Sequence, residues 1–198
     1  MKKELEHYYI GSSYGGNQEW FSGFMMKTGG CAAETAIENC IYFDRNFNTS
    51  LCPFDANNVT KEDFISFGEI MKPYLRPRMS GIDRISIFIE GFKEYLNEKN
   101  SPLTLIGIEG TEEYETARAA VISHLDKGFP VSFLCLNHTL RSFKEYQWHW
   151  FLINGYELYG DTLMVKAVTY SMWEWIDFRE LWNTGCLRRG GMVLCGIE

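Results

Sequence analysis

The spacing of apolar residues along this chain changes from a helical to a strand period near Pro130, and this change limits the folds it can adopt. Before Pro130, apolar residues recur every three or four positions, the period of a helix with one buried face. The clearest stripe consists of Ile82, Ile85, Ile89, Phe92 and Leu96. The pattern predicts helices over residues 31–43, 61–74, 82–97 and 112–127.

After Pro130 the apolar residues alternate or form short runs rich in β-branched and aromatic side chains, which is typical of strands. The segment Tyr159-Gly160-Asp161-Thr162 has the composition of a hairpin turn. Helices lead and hairpin-connected strands follow, and this order predicts an α+β fold with an antiparallel sheet. We expect a single domain over residues 1–198, with strands over 103–110, 131–136, 148–156, 163–170 and 191–197.

Composition excludes several classes of function. The chain has 198 residues, 45% of them apolar, and a net charge of −7, so it is expected to fold around a sizeable core and not to bind nucleic acid. No stretch approaches the roughly 20 apolar residues of a membrane span, so no membrane association is expected. The start, MKKELEHYYIGSSYGG, has no apolar run behind its lysines, which predicts a cytoplasmic protein without a secretory signal.

One cysteine stands where a nucleophile is expected. Cys31 follows Gly29-Gly30 directly and opens a predicted helix. The first turn of a helix presents unpaired N–H groups and a partial positive charge, both of which stabilise a thiolate. The alternative interpretation is a small buried residue beside a glycine turn.

A nucleophilic thiol needs a base, and His149 is the best placed of the four histidines. It lies in the strongly β segment QWHWFLING, and a strand holds a side chain more rigidly than a loop does. The six cysteines include no CxxC pair and no zinc-type spacing with histidine. We therefore expect free thiols, no metal and no cofactor.

Four segments resemble the bacterial C39-like branch of the papain-like cysteine peptidase superfamily. They are YGGNQEWF (14–21), GGCAAETA (29–36), QWHWFLINGYE (147–157) and VTYSMWEWIDFRELW (168–182). The resemblance implies a papain-like (cysteine proteinase) fold, in which N-terminal helices precede an antiparallel sheet. It also implies a cysteine peptidase, or a related thiol acyl-transfer enzyme, that acts on a peptide or amide substrate.

The resemblance assigns roles to individual residues. Cys31 would be the nucleophile and His149 the base. The family's oxyanion-stabilising glutamine precedes its cysteine by six residues, where this chain has Met25; the available glutamine is Gln18. The group that orients the imidazole falls on Ser171, with Asp161 as an alternative. These departures leave open a second hypothesis, a catalytically inactive papain-like binding or structural module.

Overall fold

The computed structural model describes residues 1–197, and it has the α+β architecture that the order of elements predicts. Its six helices are α1 (Phe24–Gly29), α2 (Cys31–Phe47), α3 (Lys61–Met71), α4 (Ile85–Glu98), α5 (Tyr114–Asp126) and α6 (Phe178–Trp182). Its nine strands are β1 (Lys2–Glu4), β2 (Tyr9–Ile10), β3 (Ser13–Tyr14), β4 (Leu103–Glu109), β5 (Val131–Cys135), β6 (His149–Tyr159), β7 (Thr162–Thr169), β8 (Met172–Asp177) and β9 (Gly190–Ile197).

Seven strands form one antiparallel sheet. Six of them follow one another in the order β4-β9-β5-β6-β7-β8, and β1 is the seventh. The short strand β1 pairs with the second half of β6, beyond the part that β5 covers. A small separate sheet joins β2 to β3. The long strand β6 is therefore the centre of the sheet, and its first residue is His149.

The predicted hairpin between β6 and β7 is confirmed. Tyr159 pairs with Thr162, so Gly160 and Asp161 are the two turn residues, with Gly160 at a φ of 59°. Positive φ is what such two-residue turns require. Asp161 therefore lies at the opposite end of β6 from His149, about 30 Å away along an 11-residue strand, and the alternative that places it beside His149 is wrong.

Helices cover both faces of the sheet. On one face Asn39 of α2 donates a 2.9 Å hydrogen bond to Ser132 of β5, and Trp150 of β6 stacks on Phe88 of α4 with ring centroids 4.3 Å apart. On the other face Phe133 of β5 contacts aromatic rings of α6. The core lies between these layers, and α2 and β6 meet within it.

Three helices begin or end at residues other than those predicted from the spacing of apolar residues. In each case a specific residue or hydrogen bond at the end of the helix sets the boundary. Helix α2 continues past residue 43 to Phe47 and stops at Asn48, whose φ of 53° is a left-handed helix end. Helix α3 stops at Met71, short of residue 74, because Pro73 has no N–H to donate back to the helix; Lys72 still has helical dihedral angles and caps the end. Helix α4 begins at Ile85, since the Ile82 carbonyl instead accepts the indole N–H of Trp150.

Two strand-forming regions escaped the sequence analysis. Residues 1–24, to which the sequence analysis assigns no helix or strand, contain β1, β2 and β3. The segment 172–177 is a full strand, β8. Across residues 1–197, no helix has the length and apolar character needed to span a membrane.

Candidate active site

The glycine pair before Cys31 allows two helices to meet almost without a linker. Helix α1 ends at Gly29, Gly30 is the only residue between, and α2 begins at Cys31. A Cβ at Gly30 would lie 2.2 Å from the Met26 carbonyl oxygen, closer than atoms can approach. The glycines therefore serve a tight junction that places Cys31 in the first turn of a 17-residue helix.

The Cys31 thiol is buried, and burial controls its ionisation. Burial raises the pKa of Cys31 to about 11, with a smaller contribution from the charge of Glu34. Backbone N–H groups of Trp150, Ala32 and Cys31 itself point at the sulfur and oppose the increase. The helix N-terminus was expected to lower this pKa. Burial instead raises it, because the loss of water around the thiol outweighs the effect of the helix dipole.

His149 is held by groups on the neighbouring strand β7 and the turn after it. Its Nε2 lies 2.6 Å from the Thr169 hydroxyl oxygen, and its Nδ1 lies 3.5 Å from the Tyr170 hydroxyl oxygen. The imidazole stacks on the Tyr170 ring with centroids 4.6 Å apart and planes 5° from parallel. Burial lowers the pKa of His149 to about 4, so the ring is neutral at neutral pH.

The structure brings the peptide bond that follows His149 close to Cys31. The N–H that faces the Cys31 sulfur belongs to the peptide bond that joins His149 to Trp150. The hydrogen bonds of the imidazole go to Thr169 and Tyr170, and no hydrogen bond within the described chain joins the imidazole to the thiol. The site at rest therefore holds a neutral thiol and a neutral imidazole that is anchored separately by Thr169 and Tyr170.

Gln18 reaches the junction of α1 and α2, although it lies thirteen residues before Cys31. The loop folds back, and the side chain of Gln18 donates a 3.0 Å hydrogen bond to the Lys27 carbonyl at the end of α1. Its backbone N–H points at the carboxyl group of Glu34, one turn into α2. Gln18 is thus buried beside the start of α2, and its role as an oxyanion donor stays a prediction.

Ser171 does not contact His149. Its hydroxyl donates to the Gly16 carbonyl at 3.3 Å, and its backbone N–H donates to the same oxygen at 3.1 Å. The hydroxyl on the imidazole is that of Thr169, two residues earlier. Motif matching missed Thr169; the signal that could have found it is the pairing of β6 with β7, which sets Thr169 beside the start of β6.

Backbone strain is concentrated around His149. Five non-glycine residues have positive φ, and two of them, Asn48 and Asn100, follow the ends of helices, where asparagine is tolerated. The other three are Trp148, Tyr170 and Ser171. Trp148 precedes His149 directly, and Tyr170 stacks on it. Strain of this kind in bulky residues is typical of functional sites.

A surface cleft of about 330 Å³ leads to Cys31. Its rim includes Met79 and Trp148, whose apolar side chains are 90% and 39% exposed. The guanidinium group of Arg188 lies 4.8 Å above the Trp148 ring and pairs with Asp83. The cleft therefore offers an exposed apolar surface beside Cys31.

The remaining histidines and cysteines have other surroundings. His124 bonds to the Cys195 carbonyl at 3.0 Å, His138 bonds to the Glu180 carbonyl at 3.0 Å, and His7 lies 3.2 Å from Glu38. All six cysteines are free thiols. Residues 1–197 contain no group of three or more histidine, cysteine or acidic side chains arranged to bind a metal.

Two buried glutamates of α2 were missed by the sequence analysis, because glutamates on a helix usually face water. Burial raises the pKa of Glu34 well above its usual value, and the charge of Glu38 raises it further, against the opposing effect of the Gln18 N–H. Glu38 accepts the Gly16 N–H at 2.6 Å. Glu34 and Glu38 thus hold the N-terminal segment against α2, within the two turns that follow Cys31.

Comparisons with protein-family models, curated proteins and solved structures find no match to this chain. The papain-like resemblance therefore stays a prediction that rests on four short motifs.

The raised pKa of Cys31 predicts an absence of thiolate at neutral pH. We expect the ultraviolet thiolate absorbance of wild type minus Cys31→Ser to stay at zero through neutral pH and to grow only as the pH approaches about 11. The other five cysteines occur in both proteins and cancel. A difference band that already titrates in mildly acidic solution would show a thiolate–imidazolium pair and contradict this account.

The raised pKa of Glu34 predicts a loss of stability with rising pH. Unfolding exposes the carboxyl group to water, where it ionises near its usual pKa of 4.5, so the unfolded chain binds fewer protons than the folded one above that pH. The free energy of unfolding then falls by about 1.4 kcal/mol per pH unit from this group.

We expect Glu34→Gln to flatten this slope in urea unfolding measured from pH 5 to pH 8. Glu62→Gln, at an exposed position in the first turn of α3, is the control and should leave the slope unchanged. Equal slopes in the two variants would exclude a buried neutral Glu34.

Proposed function

We propose that this protein is a thiol acyl-transfer enzyme of the papain-like type, which cleaves a peptide, isopeptide or other amide through Cys31 and His149. The observation that supports this proposal best is the position of the thiol. Cys31, in the first turn of α2, is one of the residues that line a surface cleft, and its sulfur faces the peptide N–H that follows His149.

In the proposed reaction, the substrate carbonyl carbon enters the cleft and the Cys31 sulfur attacks it. Because the thiol and the imidazole are both neutral at rest, His149 accepts the thiol proton as the S–C bond forms. Nδ1 is the nitrogen for this task, since Nε2 is bound by Thr169. The imidazolium then gives the proton to the departing amine, and a thioester remains on Cys31.

The second half of the reaction releases the acyl group. Water, or the amine of an acceptor, loses a proton to His149 as it attacks the thioester carbon, and the Cys31 sulfur leaves and takes that proton back. The products are a carboxylic acid in hydrolysis or a new amide in transfer. The backbone N–H of Cys31 and the side chain of Gln18 are the proposed donors to the oxyanion of each tetrahedral intermediate.

A second candidate function is a papain-like module that binds a partner without catalysis. The observation that favours it is the resting arrangement of the site, in which Thr169 and Tyr170 take the hydrogen bonds of the His149 ring. In this state neither nitrogen of the imidazole is hydrogen-bonded to the thiol. A fold of this kind does not by itself imply activity.

The two functions are separated by acylation of the intact protein. We expect p-nitrophenyl acetate to leave an acetyl group on Cys31, located by peptide mass spectrometry, and Cys31→Ser to abolish this thioester adduct. We expect His149→Gln to slow acylation about 100-fold or more, the usual contribution of a general base.

His124→Gln is the matched control. His124 is also buried, and burial lowers its pKa to about 4 as well, but it bonds to the Cys195 carbonyl away from Cys31. The His124→Gln variant should be acylated at Cys31 at the wild-type rate. Acylation that is absent from Cys31, or equally fast in His149→Gln and wild type, would reject the enzyme and favour the binding module.

A further inference from the structure

The turn between β7 and β8 has an unfavourable sequence for its geometry. Thr169 pairs with Met172, so Tyr170 and Ser171 are the two central residues of a hairpin turn. Their φ angles are 51° and 63°, left-handed at both positions. A turn of this geometry strongly prefers Asn-Gly or a similar pair, and a tyrosine there costs stability. Such a cost calls for a compensating role.

The Tyr170 side chain has a specific contact that could supply that role. Its ring covers the His149 imidazole, almost parallel, at 4.6 Å between centroids. Its hydroxyl oxygen lies 3.5 Å from Nδ1, while the Thr169 hydroxyl lies on Nε2. The imidazole is therefore held at one face by Tyr170 and at Nε2 by Thr169.

The turn is also tied to the helix that carries the thiol. The backbone N–H and the hydroxyl of Ser171 both donate to the Gly16 carbonyl, and the Gly16 N–H donates to Glu38 of α2 at 2.6 Å. A continuous series of hydrogen bonds thus runs from α2 through the N-terminal segment to the turn. It fixes the position of Tyr170 relative to the element that begins at Cys31.

We propose that Tyr170 is a positioning residue for His149, and that the strained turn exists to press its ring onto the imidazole. The stacked ring fixes the plane of the imidazole so that Nε2 meets the Thr169 hydroxyl, which accepts the Nε2 proton. This tautomer leaves the basic lone pair on Nδ1, the nitrogen that the thiol proton must reach. The catalytic part of this inference rests on the proposed function, whereas the tautomer and the strain do not.

Two variants and one control test the proposal. Tyr170→Phe keeps the ring and removes the hydroxyl. The double variant Tyr170→Asn/Ser171→Gly supplies the favoured turn sequence and removes the ring. Asn100→Gly relaxes a left-handed residue after α4, far from the site, and controls for the general effect of relieving strain.

Nitrogen-detected NMR of the imidazole gives the first readout, and the thermal unfolding midpoint gives the second. We expect wild-type His149 to show a single Nε2–H tautomer and ring protons shifted by the stacked ring. Tyr170→Phe, which keeps the stacked ring, should keep both the ring shift and the tautomer. The double variant should lose both, unfold at a higher temperature than wild type, and acylate at Cys31 at least about tenfold more slowly.

Asn100→Gly should leave the imidazole signals and acylation as in wild type. The proposal is overturned if the double variant keeps the wild-type tautomer and ring shift, or if its unfolding midpoint falls, which would make Tyr170 a packing residue. If the tautomer is lost as expected but wild-type Cys31 never acylates, the positioning role stands and the proposed enzymatic function fails.

Discussion

The peptide bond between His149 and Trp150 is the point on which the arrangement of the site depends. Its N–H faces the Cys31 sulfur, while the Trp150 indole stacks on Phe88 of α4 and donates to the Ile82 carbonyl. One residue thus fixes the start of β6 against α2 and α4 together. Because His149 precedes Trp150 directly, the packing that anchors the tryptophan also fixes the backbone position of His149.

Burial at this point has a chemical consequence. It raises the pKa of Cys31 to about 11 and lowers that of His149 to about 4, so the proton stays on sulfur at neutral pH. A preformed ion pair would need the two pKa values in the reverse order. The site instead matches general-base chemistry, in which the proton moves only as the nucleophile attacks. A tautomer held ready at Nδ1 matters more under this proposed scheme, and holding it is the role that we propose for Tyr170.

The sequence was informative where structure follows from local periodicity and failed where it follows from register. Apolar stripes located α2 and α4, and the Tyr159–Thr162 turn fixed the pairing of β6 with β7. The residues on the imidazole could not be read in the same way. Thr169 reaches His149 through pairing that includes an irregularity between Ile153 and Gly155, and such a shift changes which side chains meet. The buried Glu34 and Glu38 likewise depend on a folded-back N-terminal segment that has no periodic signal.

The most direct test of a nucleophilic Cys31 is the binding of a peptide aldehyde labelled with ¹³C at the carbonyl carbon. The account predicts a hemithioacetal carbon signal with wild type, its absence with Cys31→Ser, and a weaker signal with His149→Gln. This adduct needs the thiol, a proton transfer and room in the cleft, but no leaving group. An aldehyde that remains wholly free or hydrated in the presence of excess wild-type protein would contradict the account and leave Cys31 as a packed, inert thiol.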